Sequence, residues 1–593
     1  MNYISFFSSE NIIRILCKYR AKAANKRHEK HMMRDISLHV STNKILSSEN
    51  NEEFQILQDF FPKRRQWIQL NESERKSCNS SIKINELRLY KSYIKAKINI
   101  KEGKIDPPEW YLNLLDYVEK IQLIIINVEN SDYEMDKPQI RGIKKKIKKK
   151  VLICRPIALY NITDKIICSL TAKYLTQFFE HLFLDCSYAF RAKNKNNNDI
   201  PTHHDCIQAI LDNRKKEKDL WVAECDIQKF FDTVQHEYLL KIFDDLSLRI
   251  ESEKNIVLDN KAKIIFKLFL DSFSFQENIL SLNSDPQWFN SRGLPNGNFD
   301  WVEKELNDKF GDSYTSNYIL GVPQGNAISC FISNLILHNV DEKVLESQSD
   351  VFYLRYCDDM VLMHKNNNTC HQTLDIFMTA LHENFLLYHN PKKTLNYKER
   401  KNSLEFWDNK SKEPFYWGNK HLDENNIPWV SFVGYQVNFY GKIRVRKATL
   451  RKETKKQTET SQKVLKALGK LSESDVIEEK NSRKSINQLV STLQQKLISM
   501  SVGRINILNH KSPQIQALCW TNGFKKLSTN KITNTQLKYL DRRRRIQLKR
   551  IPFELREIKR KLVKKDTSQP KTLDEISFKG SAFSYYNFLK HKK

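Results

Sequence analysis

Two adjacent aspartates, Asp358 and Asp359, interrupt the otherwise apolar run FYLRYCDDMVLMHK at residues 352–365. The apolar residues on both sides predict two short strands, with Cys357, Asp358 and Asp359 at the bend between them. A buried carboxylate without a partner is costly, so a cation or hydrogen bonds must compensate these charges. The segment therefore predicts a β-hairpin with an acidic tip. An ordinary surface turn, in which Asp is common, is the alternative interpretation.

A third carboxylate lies at the end of another predicted strand, LWVAECD, which begins at Leu220. Period-two alternation places Asp226 on the same face as Leu220 and Val222, and helical spacing of apolar residues resumes after Asp232. The unit is therefore strand, turn and helix. Three carboxylates at strand ends can hold two Mg²⁺ ions, because Mg²⁺ keeps waters and substrate phosphates in its shell. Such a pair of ions activates an attacking hydroxyl and neutralises a leaving pyrophosphate.

The charge balance favours a polyanionic partner. The 593 residues include 99 Lys and Arg against 70 Asp and Glu, a formal net charge of +29, and the sequence pI is about 9.4. An excess of this size indicates nucleic acid, although an AT-rich genome would explain part of the lysine content. The length also predicts several domains, because it exceeds what one compact core accommodates.

Cysteine usage and hydropathy predict the compartment. The 11 cysteines form no CxxC pair, which is typical of a reducing compartment. The clusters at 203–206 and 370–371 lack a second ligand pair at zinc-site spacing, so they are interpreted as non-metal positions. The most apolar stretch, IQLIIINV from Ile121, is too short to span a bilayer, and the first thirty residues lack an uninterrupted apolar segment. A soluble, cytoplasmic protein without a membrane partner is expected.

Five segments occur in a recognisable order: CDIQKFFDTVQHEYL, GVPQGNAISCFISNLIL, YCDD, NPKKT and SFVGYQVNFYGKIRVR. Together they resemble the reverse transcriptases, specifically the bacterial branch of group II intron proteins, retrons and defence-associated enzymes. Upstream, RPIALYNITDKIICSLTAKYLTQFFEHLF and SYAFR resemble the fingers segment of that branch, with Lys165 and Ala189 where the branch usually has Arg and Gly. The resemblance covers roughly residues 140–550.

The resemblance implies an α+β, right-hand polymerase with fingers, palm and helical thumb, extended at both ends. The implied boundaries are an N-terminal extension at 1–85, fingers at 86–218, a palm at 219–450 with an insertion at about 246–318, a helical thumb or maturase-like segment at 451–550, and a basic C-terminal tail at 551–593.

The resemblance also assigns the catalytic residues, position by position. Asp226, Asp358 and Asp359 become the metal ligands, helped by the backbone carbonyl of Ile227, and the ions are two Mg²⁺, with Mn²⁺ as an alternative. Phe231 matches the steric gate of the family. An aromatic ring beneath the sugar of the incoming nucleotide leaves no space for a 2′-hydroxyl, so deoxynucleotides are preferred. A core aromatic is the alternative for Phe231.

Three further residues are implied to bind the nucleotide. Gln324, in GVPQG, would lie near the incoming dNTP and the template, where glycines permit close backbone approach. Lys393, in NPKKT, would neutralise or protonate the leaving pyrophosphate, and a solvated loop lysine is the alternative. Arg155, in CRPI, would grip triphosphate oxygens, and a structural salt bridge is the alternative.

Primer and nucleic-acid binding are implied at two places. VSFVGYQVNFYGKIRVRK resembles the primer-grip hairpin and predicts two strands joined at Tyr440–Gly441, with Gly434 and Tyr435 close to the primer end. The run LDRRRRIQLKR resembles the thumb-adjacent segment of group II intron proteins. Its arginines are expected to follow a phosphate backbone, and a solvated helix face is the alternative. The arginines of this run are Arg542, Arg543, Arg544 and Arg545.

These implications give the leading hypothesis, an RNA-directed DNA polymerase in bacterial antiphage defence. It would copy an RNA template into DNA, with a cognate noncoding RNA and with a partner protein or a second copy of the chain. The sequence predicts no endonuclease domain of the kind that mobile intron proteins often add. The alternatives are a group II intron-type maturase that holds RNA with secondary polymerase activity, and an RNA-dependent RNA polymerase, which gives no reason for Phe231.

Overall fold

The computed structural model of the protein describes residues 2–37, 52–78, 80–130, 133–148, 151–192, 199–217, 219–291, 301–393, 405–418, 428–468, 486–502 and 520–562. Helices and strands are mixed along the chain, which makes it an α+β protein, as predicted.

The α-helices of the described residues, α1 to α19 in chain order, are Ser9–Ser37, Glu52–Asp59, Glu72–Ser77, Ser81–Lys101, Glu109–Asn127, Ile162–Phe179, His203–Lys216, Phe230–Thr233, His236–Lys254, Asn260–Asp271, Phe275–Asn278, Pro286–Ser291, Trp301–Phe310, Tyr314–Asn317, Ala327–Ser347, Asn367–Glu383, Lys447–Leu468, Ile486–Val502 and Lys531–Leu562. The strands, β1 to β10, are Gln139–Lys148, Val151–Leu159, Asp219–Gln228, Phe352–Tyr356, Asp359–His364, Leu387–Tyr388, Lys412–Gly418, Trp429–Phe432, Tyr435–Asn438 and Ile443–Val445.

The chain divides into two compact units. The first contains Met1–Ile12, Tyr117–Val433 and Asn438–Gly441, and the second contains Ile13–Asp116, Gly434–Val437 and Lys442–Lys593. The predicted acidic residues belong to the first unit. The predicted primer-grip residues and the arginine run belong to the second.

The central sheet of the first unit has the order β4-β5-β3-β6, and β7 also pairs with β3. All of these pairings are antiparallel. β3 occupies the middle because its residues are apolar on both faces, with Val222, Ala223, Cys225 and Ile227 buried. A strand that is covered on both faces reads as a nearly continuous apolar run. The carboxylates of β3 therefore stand out against the rest of this strand.

Helices cover the sheet and form an aromatic core. α16 packs on β3, β5 and β7, and α15 packs against α6, α9 and α16. The rings of Phe243 on α9 and Phe266 on α10 stack with centroids 4.2 Å apart. Phe266 is fully buried, so α10, which lies in the segment 246–318 predicted as an insertion, is part of the core of this unit.

In the second unit, strand β9 pairs with β10, and α19 packs against β10, α17 and α18. The side chain of Gln536 extends the sheet edge, because it accepts from the Val445 N–H at 2.9 Å and donates to the Val445 carbonyl at 2.8 Å. Leu493 and Leu497 are fully buried on α18.

The structure corrects the prediction of a two-strand primer-grip hairpin. Three strands, β8, β9 and β10, cover this segment. Val433 and Gly434 have φ of 40° and 88°, so the chain turns there and divides the first predicted strand. The predicted Tyr440–Gly441 turn separates β9 from β10, with Gly441 at a φ of 74°.

The polar run RAKNKNNNDIPTHH from Arg191 predicts an exposed loop, and the structure corrects this prediction at its first residue. Arg191 is buried, its Nε donates to Glu180 at 2.8 Å, and its Nη1 donates to the carbonyls of Leu184 and Ser187 at 2.8 Å each. The guanidinium thus uses its donors on groups of the preceding segment rather than on solvent. Composition could not reveal this contact, because all of these partners precede the loop.

A buried ion pair anchors the acidic hairpin to helix α15. Arg355 on β4 donates from Nη2 to Asp341 Oδ2 at 2.7 Å and from Nε to Asp341 Oδ1 at 2.9 Å, and each side chain is 1% exposed. Tyr353 donates to the same carboxylate at 2.6 Å. A bidentate pair with further hydrogen bonds is the arrangement in which a buried ion pair is tolerated.

We expect Asp341→Ala to lower the free energy of unfolding by about 3–5 kcal/mol, because it leaves the Arg355 guanidinium buried without its counter-charge. Thermal and urea denaturation measure this loss. The control is Glu253→Ala, which removes the half-exposed partner of Arg249 and should cost at most about 1 kcal/mol. Equal effects of the two substitutions would contradict the prediction.

Candidate active site

The structure brings two of the predicted acids together, since Asp226 on β3 and Asp359 on β5 are direct cross-strand partners. The Asp226 carbonyl accepts from the His389 N–H at 3.0 Å, on the other edge of β3. The pair with Asp359 is therefore of the non-hydrogen-bonded type, in which Cα atoms lie about 4.5 Å apart. Directly opposed residues point to the same face, so two like charges share one side of the sheet, and this is destabilising unless compensated.

Asp358 lies in the turn that joins β4 to β5. Tyr356 pairs with Asp359, so Cys357 and Asp358 are the two loop residues. Cys357 has a φ of 59°, in the left-handed region where such turns usually carry glycine. Arg355 Nη1 donates to the Cys357 carbonyl at 3.2 Å. The buried ion pair of the hairpin thus also fixes the acidic turn.

Polar and cationic groups surround Asp226. Lys410 Nζ contacts Asp226 Oδ2, and His389 Nε2 lies 3.5 Å from the same oxygen. Ser411 Oγ accepts from the Asp226 N–H at 2.9 Å. The pKa of Asp358 is raised because burial disfavours its charged form and because negatively charged Asp226 is close.

Sequence reasoning missed the basic segment beside Asp226 and the anchor of the hairpin. Lys410 and Ser411 precede strand β7 and Lys412 begins it, in no periodic pattern, and only the pairing of β7 with β3 brings them to the acids. Arg355 did carry a signal, because a charged residue inside an apolar strand needs a buried partner. Its partner, Asp341, lies within a mostly apolar helix and could be read in the same way.

The donor atoms suit a divalent cation. Asp226 and Asp359 offer carboxylate oxygens on one face, and the Ile227 carbonyl points towards the hairpin, because alternate residues of a strand direct their backbone groups to opposite edges. Two carboxylates suffice for Mg²⁺, which keeps waters and substrate phosphates. Within the described part of the chain, no three His, Cys, Asp or Glu side chains already form a metal site.

The segment after β3 contacts the GVPQG turn. The Val322 N–H donates to the Phe231 carbonyl at 2.7 Å, and the Gln324 side-chain amide donates to Asp232 Oδ1 at 2.7 Å. Phe231 is partly exposed and meets Phe230 edge-on, with ring centroids 5.2 Å apart. The two predicted nucleotide residues, Phe231 and Gln324, therefore lie in one connected cluster.

Asp232 is the buried centre of this cluster. Burial raises the pKa of Asp232, while Lys229, whose Nζ lies 3.6 Å from its Oδ2, and Arg155 act in the opposite direction. Arg155 is exposed on β2. Its positive charge is thus available to a ligand and also close enough to influence the carboxylate of Asp232.

Close backbone approach ties the same turn to β2. The Ala158 N–H donates to the Gln324 carbonyl at 3.1 Å. Gly325 has a φ of 104°, and a Cβ there would lie 3.2 Å from Ile157 Cγ2. Glycine is thus required both for the backbone conformation and for the approach of the turn to β2.

Lys393 follows the segment that borders Asp226. The preceding Lys392 donates its N–H to the Ser411 carbonyl at 3.1 Å and forms an ion pair with Glu405 at 2.9 Å. The Lys393 side chain is exposed. It is accessible to a phosphate, and no described contact assigns it to the acidic cluster.

The structure corrects the prediction that the side chain of Tyr435 contacts the primer end. Its side chain is fully buried, with its ring edge-on to Phe524 at 5.2 Å. Burial raises the pKa of its hydroxyl. The side chain therefore packs in the core of the second unit, and only the backbone around Gly434, which has a φ of 88°, remains available for contact.

The arginine run is corrected at one position. Arg544 is buried, contacts Ser501 Oγ, and donates to Asp541 at 3.2 Å. Consecutive residues of a helix point in different directions, so four adjacent arginines cannot all face solvent. Arg542 and Arg545 are exposed and Arg543 is intermediate, which limits the surface able to follow a phosphate backbone.

Residues 143–418 match the family model described as reverse transcriptase (RNA-dependent DNA polymerase). This range includes the three predicted acids, Asp226, Asp358 and Asp359, together with the GVPQG turn and strand β7. The chain therefore contains a reverse transcriptase domain, and the resemblance stated from the sequence is confirmed. Domains of this family generally use divalent metal ions.

A stretch of 228 residues is 25% identical to the group II intron-encoded protein LtrA of Lactococcus lactis subsp. cremoris, and LtrA of strain MG1363 gives the same match. It covers 38% of this chain and 28% of LtrA, so the chain spans less than a third of the length of these relatives. A solved structure of telomerase from Candida albicans with a TWJ fragment of telomeric RNA has a TM-score of 0.30 and 12% identity, covering 91% of this chain and 82% of that chain.

In the described residues, no helix has the length and apolar character needed to cross a bilayer.

We expect Asp358→Asn to raise the melting temperature of the protein in EDTA at neutral pH. The pKa of Asp358 is raised above its ordinary value of 3.8 in the folded state, so folding loses stability as the pH rises from 3.8 through the folded-state pKa. The amide mimics the neutral acid. The advantage of the variant should therefore shrink as the pH falls through this window.

Asp350→Asn is the control with the opposite sign. A hydrogen bond from His364 at 3.0 Å lowers the pKa of Asp350, so its charged form is the stabilised one. Asp350→Asn should not raise the melting temperature at neutral pH. A wild-type protein that melts above Asp358→Asn in EDTA at neutral pH would contradict the prediction.

Proposed function

We propose that this protein is an RNA-directed DNA polymerase that extends a primer with dNTPs. One observation carries the proposal: Asp226 and Asp359 are direct cross-strand partners, with Asp358 in the adjoining turn. Both acids lie inside a segment that matches the reverse transcriptase family. An enzyme needs such a pair of acids to bind cations, whereas a protein without cations would gain nothing from two opposed carboxylates.

Asp226, Asp358 and Asp359, with the carbonyl of Ile227, would hold two Mg²⁺ ions, or Mn²⁺ in their place. When bound, the ions activate the primer 3′-hydroxyl and stabilise the leaving pyrophosphate. The chain itself supplies position. Pairing of β3 with β5 sets the separation of the acids, and the buried Arg355 guanidinium holds the turn that carries Asp358.

The cluster around Asp232 would bind the incoming nucleotide. Phe231 would lie beneath the sugar and exclude a 2′-hydroxyl. Gln324, held by its hydrogen bond to Asp232, would face the base, and exposed Arg155 and Lys393 would contact phosphate oxygens. The support is the connection of Phe231, Gln324 and Arg155 through hydrogen bonds and charge, next to the strand that carries Asp226.

In this proposal, most of the predicted fingers and palm (86–218 and 219–450) belongs to the first unit, and helices α17–α19 of the second unit correspond to a helical thumb. Arg542 and Arg545, exposed on α19, would bind phosphates of the template–primer duplex without reading sequence. The boundaries predicted from the sequence, including the extensions at 1–85 and 551–593, stay proposals.

A maturase-like function is the second candidate, and the similarity to LtrA, a group II intron-encoded protein, favours it. In that case the chain mainly holds a structured RNA, and function survives the loss of Asp226. The opposed acids argue for the polymerase, because like charges facing each other would only destabilise a pure RNA-binding protein.

We further propose a role in bacterial antiphage defence, with a cognate noncoding RNA as template. The resemblance to defence-associated reverse transcriptases supports this role. In phage challenge, cells that carry the gene with its neighbours should survive, and cells with Asp358→Asn/Asp359→Asn should not. Equal survival of both strains, or protection by neither, would reject a defence role for the polymerase.

We expect primer extension on an RNA template to proceed with dNTPs and to fail with Asp226→Asn. Phe231→Ala should raise the use of NTPs relative to dNTPs by at least about tenfold, or about 1.4 kcal/mol of discrimination, because the ring that excludes the 2′-hydroxyl is removed. Phe231→Tyr keeps an aromatic ring and should keep the preference. Equal use of NTPs by the wild type would defeat the gate assignment.

A further inference from the structure

A row of charged residues crosses the central sheet at the level of Asp226. Strand β7 pairs with β3 so that Lys412 lies opposite Glu224. Lys410 precedes Lys412 by two residues, and its Nζ contacts Asp226 Oδ2. On the other edge of β3, Asp226 faces Asp359. The carboxylate of Asp226 therefore has the Lys410 ammonium as one neighbour, and Asp226 is paired across the strands with a second aspartate.

We propose that Lys410 is a tethered counter-ion that occupies the carboxylate of Asp226 when no divalent cation is bound and is displaced when one binds. The inference rests on the proposed function, since it assigns Lys410 a role at the same metal site. Lys410 would thus be a positioning residue, which sets how readily the acids accept a cation.

The backbone around Lys410 is held beside Asp226. Ser411 is fully buried, and its Oγ accepts from the Asp226 N–H at 2.9 Å. The Lys392 N–H donates to the Ser411 carbonyl at 3.1 Å. These contacts fix the base of the Lys410 side chain, so its ammonium stays within reach of Asp226 even after it has been displaced.

The neighbouring pair shows why Lys410 can be displaced. Lys412 Nζ lies 2.6 Å from Glu224 Oε2, the two side chains are 4% and 8% exposed, and Lys412 also donates to the Asn409 carbonyl at 2.8 Å. Lys410 is 49% exposed. A half-exposed ion pair contributes little free energy, and lysine carries its charge on a flexible stem. Lys412 is therefore a fixed partner, and Lys410 an exchangeable one.

Competition has two linked consequences. Without metal, Lys410 offsets the repulsion between Asp226 and Asp359, so its removal should destabilise the protein. With metal, the cation must first remove the ammonium from Asp226 Oδ2, so removal of Lys410 should strengthen cation binding. A residue with only a structural role would change the first quantity and leave the second unchanged.

The experiment uses the full chain without nucleotide or nucleic acid, and Mn²⁺ as the probe, titrated by electron paramagnetic resonance of the free ion. Lys410→Met keeps the length of the side chain and removes its charge. We expect it to bind Mn²⁺ about two- to fivefold more tightly than the wild type, the range that a half-exposed ion pair contributes, and to melt at a lower temperature in EDTA. Lys410→Arg keeps the charge and should resemble the wild type.

The matched control is Lys215→Met, which removes the lysine of an exposed ion pair with Asp212 in the same unit and should leave Mn²⁺ affinity unchanged. Unchanged or weaker Mn²⁺ binding by Lys410→Met would overturn the proposal. Asp226→Asn distinguishes failure of the proposed metal site from failure of the proposed role of Lys410. If wild type and Asp226→Asn bind Mn²⁺ equally, the metal site itself fails and Lys410 with it. If only Asp226→Asn loses binding, the metal site stands and the Lys410 variants decide the proposal.

Discussion

The antiparallel pairing of β3 with β5 is the constraint on which the rest of the site depends. It places the carboxylates of Asp226 and Asp359 on the same face at cross-strand distance, where like charges repel. Folding therefore has to offset this repulsion. The Lys410 ammonium, which contacts Asp226 Oδ2, offsets part of this repulsion. A divalent cation would offset it more strongly because it carries twice the charge.

Two buried ion pairs lie on either side of the opposed aspartates, Asp226 and Asp359, and hold them in place. Arg355 with Asp341 lies on the hairpin side, and Lys412 with Glu224 lies on the β7 side. Both are inaccessible to water and supported by further hydrogen bonds, so the backbone on either side is fixed. The adjustable group is the half-exposed Lys410. This combination of fixed acids and an exchangeable counter-charge suits a site that must admit ions and release product.

In the proposed function, nucleotide selection depends on a second connection, from the segment after β3 to the GVPQG turn. Asp232 holds the Gln324 amide, and the Phe231 carbonyl accepts from the same turn. In the proposed function, the Phe231 ring at the sugar and the Gln324 amide at the base are therefore both held by contacts that involve this turn. In this proposal, a change at Asp232 would remove the hydrogen bond that holds the Gln324 amide.

The sequence by itself determined the acidic hairpin, the strand that delivers Asp226, the α+β class and the family resemblance, because these follow from local periodicity and from the order of segments. It could not determine which arginines face solvent or that Tyr435 is buried, because side-chain direction depends on what packs against each face. Only the tertiary structure decided the partners of the acids. Lys410, Lys412 and Asp341 lie far from their partners along the chain or on another element, and strand register and helix packing alone bring them together.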